Sequence, residues 1–213
     1  MKRIIFSDKY GLTDAVLDSK KTMTRHIIPQ LMSDKDFDIS DWGLTDGGKA
    51  MITLYEGGRP TTDIFPMYQP GEVVAVAQSY KALGYTKKWV EQHIRPNPNA
   101  NWNDPFEKKY PGWNNKMFTH SELEKVRKIE ITDIKVERLQ DISDEDCLKE
   151  GVVYDSRHWV NGYEVENLWN KIDRQSHFRS AQVAFANLIN RISGKGTWES
   201  NPYVFVYSFK LIK

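Results

Sequence analysis

At 213 residues, 39% hydrophobic and 28% charged, the chain is long enough to bury one sizeable core and polar enough to keep it in water. No apolar run approaches the roughly 20 residues of a membrane helix, and MKRIIFSDKYG lacks the roughly 7–15-residue apolar core of a secretory leader, so a cytoplasmic protein is expected. A formal net charge of +1 excludes a global basic field for nucleic acid, and the single cysteine, Cys147, excludes an internal disulfide or a thiolate zinc site.

In chain order, 3-RIIF-6 predicts a short strand. Asp8 is the expected N-cap of a helix over 10–20, where Leu12, Ala15, Val16 and Ser19 recur at helical spacing. Lys20 and Lys21 then fall at its C-terminal end, opposite the negative pole of the helix dipole. The alternating, β-branched 22-TMTRHII-28 predicts a strand that Pro29 stops, and the acidic, glycine-bearing residues 33–48 predict a loop. A hairpin follows: 49-KAMITLYE-56, a turn at 57-GGRP-60, and 61-TTDIFPMY-68.

Pro70-Gly71 marks a turn before 72-EVVAVAQSY-80, a run with the character of a buried strand. Residues 81–118 are irregular, with one short helix expected over 86–93; the Pro- and Asn-rich 95–115 reads as a surface excursion. Residues 128–139 alternate apolar and charged side chains, the pattern of a half-buried strand. Ser143 to Asp146 resembles a capping box opening a helix that ends at Gly151. A polar insertion over 153–175 precedes an amphipathic helix over 178–192, and 203-YVFVYSFKLI-212 is an enclosed final strand. Strands and helices in this non-repeating order predict an α+β fold, and the enclosed last strand favours a small mixed β-barrel over an open sheet.

Several apparent motifs fail on inspection. Asp34, Asp36 and Asp38 open like a calcium loop, but Ile39 and Thr45 stand where glycine and glutamate are needed. The run 194-GKGTW-198 lacks a phosphate-binding frame and reads as a turn. The five histidines include no i, i+4 pair, so a helix-borne metal site has no support; no metal and no cofactor are expected. Aromatics make up 12% of the chain, and many lie in polar sequence, Trp102 and Trp113 among them. Core packing is their commoner use, and base stacking the alternative.

Four segments then stand together: 20-KKTMTR-25, 70-PGEVVAVAQSY-80, 136-VERLQDISDEDCLKEG-151 and the strand at the C-terminus. In order and character they resemble the ASCH domain family, relatives of the PUA fold, and in particular its longer bacterial and prophage-type members. The resemblance covers residues 1–29, 66–80, 128–152 and 180–213. It implies a single domain over 1–213, with insertions near 30–65, 81–127 and 153–177. The chain departs from the family pattern at Gln78, where the family strand carries an acid, and at Glu72, where it carries aspartate.

What the resemblance implies is a PUA-like barrel with flanking helices and a basic cleft between the first helix and the sheet, suited to RNA or a modified nucleoside. Lys20, Thr22, Arg25, Gln78 and Trp113 are the expected ligand contacts. One branch of the family removes the acetyl group from N4-acetylcytidine, and matched by motif its roles fall on Lys21, Thr24 and Glu150. A ribonuclease, with Lys21 and Arg25 on the transition state, and a protein-interaction module are the further alternatives.

The residues themselves set conditions on that chemistry. Threonine is a poor nucleophile unless a base takes its proton, and lysine is a base only where its pKa falls toward neutrality. Glu150 precedes the expected C-cap glycine, an unfavourable place for an anion. Strand alternation puts Thr24 with Thr22 and His26, opposite Lys21 and Met23. Lys21 is therefore expected to meet Thr24 only as part of the helix end. Without the resemblance, the same residues read as a solvated helix terminus running into a strand.

Overall fold

The computed structural model describes residues 1–31, 38–45, 48–155, 162–165 and 178–212. β1 (Arg3–Ile4) leads through a 3-10 turn at Asp8–Tyr10 into α1 (Leu12–Leu17). Asp8 begins that turn, and the N-cap of α1 is Gly11 at φ 66°, a left-handed conformation that costs glycine nothing. The helix expected over 10–20 is thus cut short at both ends. At its far end the N–H groups of Lys20 and Lys21 both turn back to the Ala15 carbonyl, and Ser19 takes φ 59°. Both lysines leave the helix in this turn, before β2 (Met23–Ile27).

β3 (Asp38–Leu44), β4 (Ala50–Glu56) and β5 (Arg59–Ile64) form a three-stranded antiparallel sheet. The loop expected over 33–48 therefore gives way to a strand over 38–44; residues 32–37 and 46–47 lie outside the described residues. Pairing Ile39 with Leu54, Trp42 with Ile52 and Leu44 with Ala50 overrides an unfavourable local composition. The hairpin turn narrows to Gly57-Gly58, at φ 59° and 77°, the two positive values that a two-residue turn of matching twist requires.

β6 (Val73–Val76) is shorter than the run 72–80 and pairs in parallel with β1. α2 (Lys87–His93), capped by the Thr86 hydroxyl, and α3 (Phe106–Lys109) follow. The stretch 95–115 is not a loose excursion. Tyr80, Val90 and Tyr110 are buried together, and Trp89, Phe106 and Trp113 pack against them. Proline and asparagine shape the turns here, while large aromatic rings supply the area that anchors them.

β7 (Lys128–Arg138) and α4 (Asp144–Lys149) lie where the sequence predicts them, with the Ser143 hydroxyl accepting from the Asp146 N–H. The polar insertion carries β8 (Val152–Asp155) paired with β9 (Gly162–Val165); residues 156–161 and 166–177 lie outside the described residues. α5 (Ala181–Ser193) turns Ala184, Phe185, Leu188 and Ile189 inward. The expected turn at 194–198 closes instead into α6 (Thr197–Ser200), and β10 (Tyr203–Ile212) ends the fold.

The fold is α+β, with a five-stranded mixed sheet in the order β1-β6-β7-β10-β2. Among the described residues the order has two ends and no pairing that closes it. β10 is enclosed because it is an interior strand, with β7 on one side and β2 on the other. Met1–Phe6 and Val73–Ile129 gather into one compact unit, Ser7–Glu72 and Glu130–Leu211 into another. No described helix is long and apolar enough to cross a membrane.

Because the Ser143 hydroxyl satisfies an otherwise orphaned donor of α4, Ser143→Ala should cost about 1 kcal/mol. Denaturant unfolding monitored by circular dichroism measures it, and an unchanged midpoint would contradict this role for the cap.

Candidate functional site

The site is built where the C-terminus of α4 meets the chain just before β2. A helix end leaves its last carbonyls without partners. Here the Thr22 N–H takes the Lys149 carbonyl at 2.9 Å, and the Lys21 ammonium takes the Glu150 carbonyl at 2.8 Å. Gly151 follows at φ 101°, and a Cβ there would lie 3.3 Å from Leu12 and 3.7 Å from the Lys21 stem. Glycine at this position serves both the left-handed turn and the close passage over the lysine.

Lys21 is enclosed, with 2% of its side chain accessible. Its ammonium donates to the Met23 carbonyl at 2.7 Å, the Glu150 carbonyl at 2.8 Å and Glu150 Oε2 at 2.5 Å. These acceptors suit the protons of an ammonium, the ordinary form of a lysine beside a carboxylate. The other oxygen of Glu150 accepts from Arg25 at 2.9 Å. Arg25 also donates to Glu137 at 2.6 Å, lies 3.5 Å from Asp146, and has its guanidinium over the Phe185 ring. Lys135 bridges Glu137 and Asp146, and Lys149 joins Asp146 to Glu145. Four cations thus face four carboxylates.

Burial pulls the Lys21 ammonium below the ordinary lysine range, although Glu150 beside it pulls the other way. Burial also opposes the charge on Arg25, but Glu150 and Glu137 outweigh it and raise its pKa. In Asp146 burial is outweighed by Lys135 and Lys149, which hold the carboxyl below its usual range. On the other face of β2, His26 meets Tyr68 and Tyr207 edge-on at 5.9 and 5.1 Å. Burial lowers the His26 pKa; Glu150 raises it and Lys21 lowers it, so the ring lies within their field. The Tyr207 phenol, which accepts the Met67 N–H, is pushed up to about 12 by burial.

The structure brings Lys21, Arg25 and Glu150 into direct contact. Thr24 is buried on β2, opposite Tyr207 on β10, and its hydroxyl makes no hydrogen bond among the described residues. Lys21 reaches this strand from the turn, not from the helix end, and its amine rests on the carbonyl one residue before Thr24. Lys20 is exposed and lies 3.4 Å from Asp18, while Thr22 is tied by its backbone to Lys149 and Phe209. Gln78 lies past β6, with its Oε1 buried and without a partner. Trp113 is half-buried in the aromatic cluster, edge-on to Phe106 at 5.4 Å.

Glu137, Asp146, Lys135 and His26 were not foreseen as members of the site. The alternation of 135-KVER-138 puts Lys135 and Glu137 on one strand face and was the available signal. Among the described residues, no group of three or more His, Cys, Asp or Glu is placed to hold a metal ion. Comparison with known proteins adds no family: no protein-family model, no curated protein and no solved structure matches the chain.

Removing one partner of a buried pair leaves an uncompensated charge, so Glu150→Ala should cost about 3–5 kcal/mol, and Lys21→Met with Glu150→Leu much less than the single change. Urea unfolding of the two variants compares them; equal losses would contradict the coupling. His26 gives a pH signature. Its folded-state pKa lies below the ordinary 6.5, so the stability it contributes is complete above 6.5 and is lost as pH falls through the lowered value. The melting temperature of the wild type should therefore fall more steeply on acidification below 6.5 than that of His26→Phe. Parallel curves would contradict it.

Proposed function

We propose that this chain is an ASCH-type protein that takes an N4-acylated cytosine nucleoside and hydrolyses its amide. On this reading the five-stranded sheet corresponds to the strands of a PUA-like barrel. The buried Lys21–Glu150 pair carries the reading, because burial lowers the lysine pKa while a carboxylate at 2.5 Å stands ready to exchange its proton. The resting ammonium has no lone pair. Transfer of one proton to Glu150 Oε2 makes Lys21 a neutral amine, able to take the Thr24 hydroxyl proton as the oxygen attacks the acyl carbon. The nucleoside amine leaves with the proton returned through Lys21, and water then releases the acyl group from Thr24. Arg25, enclosed among Glu137, Asp146 and Glu150, holds the Glu150 carboxylate in position and is a positioning residue, not a ligand contact.

The balance of charges supports a small uncharged ligand over RNA. Phosphate binding needs cations that are free to replace counterions, and here Lys21 and Arg25 are already paired inside the protein. The same pairing removes support from a ribonuclease. Nucleoside binding without turnover is the second reading. It is favoured by the three filled donors of Lys21, which also suit a purely structural cap on α4.

Turnover of N4-acetylcytidine by the wild type and by Thr24→Ala separates these readings. Hydrolysis predicts that Thr24→Ala lowers kcat/KM about a thousandfold or more while the variant still folds, as circular dichroism reads it. Equal turnover by the two proteins would contradict the nucleophile. No turnover, with cytidine still bound, would support the binding reading.

A further inference from the structure

The unit that carries Val73–Ile129 has a cavity of its own, of about 460 Å³, within the range of roughly 300–1,000 Å³ typical of small-molecule sites. It is lined by Tyr80, Tyr110, Gly112, Phe118, Arg95 and His120, together with three prolines. Tyr80 is its fixed floor, 1% accessible, with its hydroxyl accepting the His120 N–H. Gly112 presses on that floor: a Cβ there would stand 2.5 Å from the Tyr80 ring and 2.9 Å from the Phe118 carbonyl oxygen. The cavity thus has a rigid aromatic base and a tightly fitted wall.

Its rim differs. Phe118 is 60% accessible, an uncommon exposure for a large apolar ring beside a cavity. Arg95 stands beside it with no ion pair or hydrogen bond among the described residues. Neighbouring cations are engaged: Lys87 with Glu107, Lys108 with Asp104, and Lys116 with the Phe6 carbonyl. Residues 81–127 hold nine Lys and Arg against five Asp and Glu, while the whole chain carries only +1. This stretch therefore carries a surplus of positive charge, and Arg95 is its lysine or arginine at the cavity wall.

We infer that this cavity is a binding site for a nucleotide unit, with the flat base against Phe118 and Tyr110 and the phosphate on Arg95. Aromatic rings stack on any base face, and a planar guanidinium grips a phosphate through two parallel hydrogen bonds. The same chemistry is presented by a free nucleotide and by a nucleotide within a single strand. The site lies apart in sequence from Lys21, Thr24 and Glu150 and does not depend on their chemistry.

Isothermal titration of the wild type, Arg95→Ala and Phe118→Ala with cytidine monophosphate, cytidine and a short single-stranded oligoribonucleotide tests the site. The monophosphate should bind the wild type at least about tenfold more tightly than cytidine, and each variant should lose about tenfold or more. Both residues are exposed, so melting temperatures should be unchanged. Tighter binding of the oligoribonucleotide than of the monophosphate, with the same loss in Arg95→Ala, supports the site and makes a strand its source; the reverse order supports it and makes a free nucleotide the source. No binding of the monophosphate at about 1 mM, or equal affinity in wild type and Arg95→Ala, overturns the inference. Thr24→Ala should bind the monophosphate as the wild type does, so failure of the hydrolase reading and failure of this site are told apart.

Discussion

One lysine ammonium holds the centre of the second unit together. Lys21 closes the C-terminus of α4, fixes the chain before β2 and neutralises Glu150, all from a position sealed from water. Each of these tasks answers a physical demand: orphaned helix carbonyls need donors, and a buried carboxylate needs a cation. Arg25, Glu137, Asp146 and Lys135 extend the arrangement outward until the charges reach solvent. A network so nearly balanced is costly to break at any one member and much cheaper to replace as a whole.

The same arrangement constrains the chemistry. A fully hydrogen-bonded ammonium is inert, whereas a lysine whose pKa is depressed by burial and which touches a carboxylate can be converted to an amine by one short proton transfer. Whether the pair is a cap or a catalyst therefore rests on how readily that proton moves, a property of burial and distance. His26 and Tyr207 lie on the Thr24 side of β2 and feel the outcome: the ring responds to both charges of the pair.

Local signals were legible in the sequence and distant ones were not. The Ser143 cap, the alternation of β7 and the Gly57-Gly58 hairpin follow from neighbours within a few residues, the apolar run of β10 is equally local, and the structure has each of them. The pairing of Lys21 with Glu150 spans 129 residues and has no local signature. The two residues entered the candidate site through family resemblance, while Glu137 and Asp146 did not enter at all. The helix end at Lys20 and Lys21 was misjudged because a turn at Ser19 outcompetes one more helical turn. β3 and the aromatic cluster were hidden for a related reason: loop-like composition gave way to pairing with β4 in one case and to large rings in the other.

The central claim is that burial, acting against Glu150, governs the Lys21 proton. A nuclear magnetic resonance titration of the Lys21 Nζ in the folded protein tests it directly. The account predicts a midpoint below the ordinary 10.5 that rises toward that value when the chain is unfolded. A folded-state midpoint at or above 10.5 would contradict it and would leave Lys21 a permanent cation with a structural role alone.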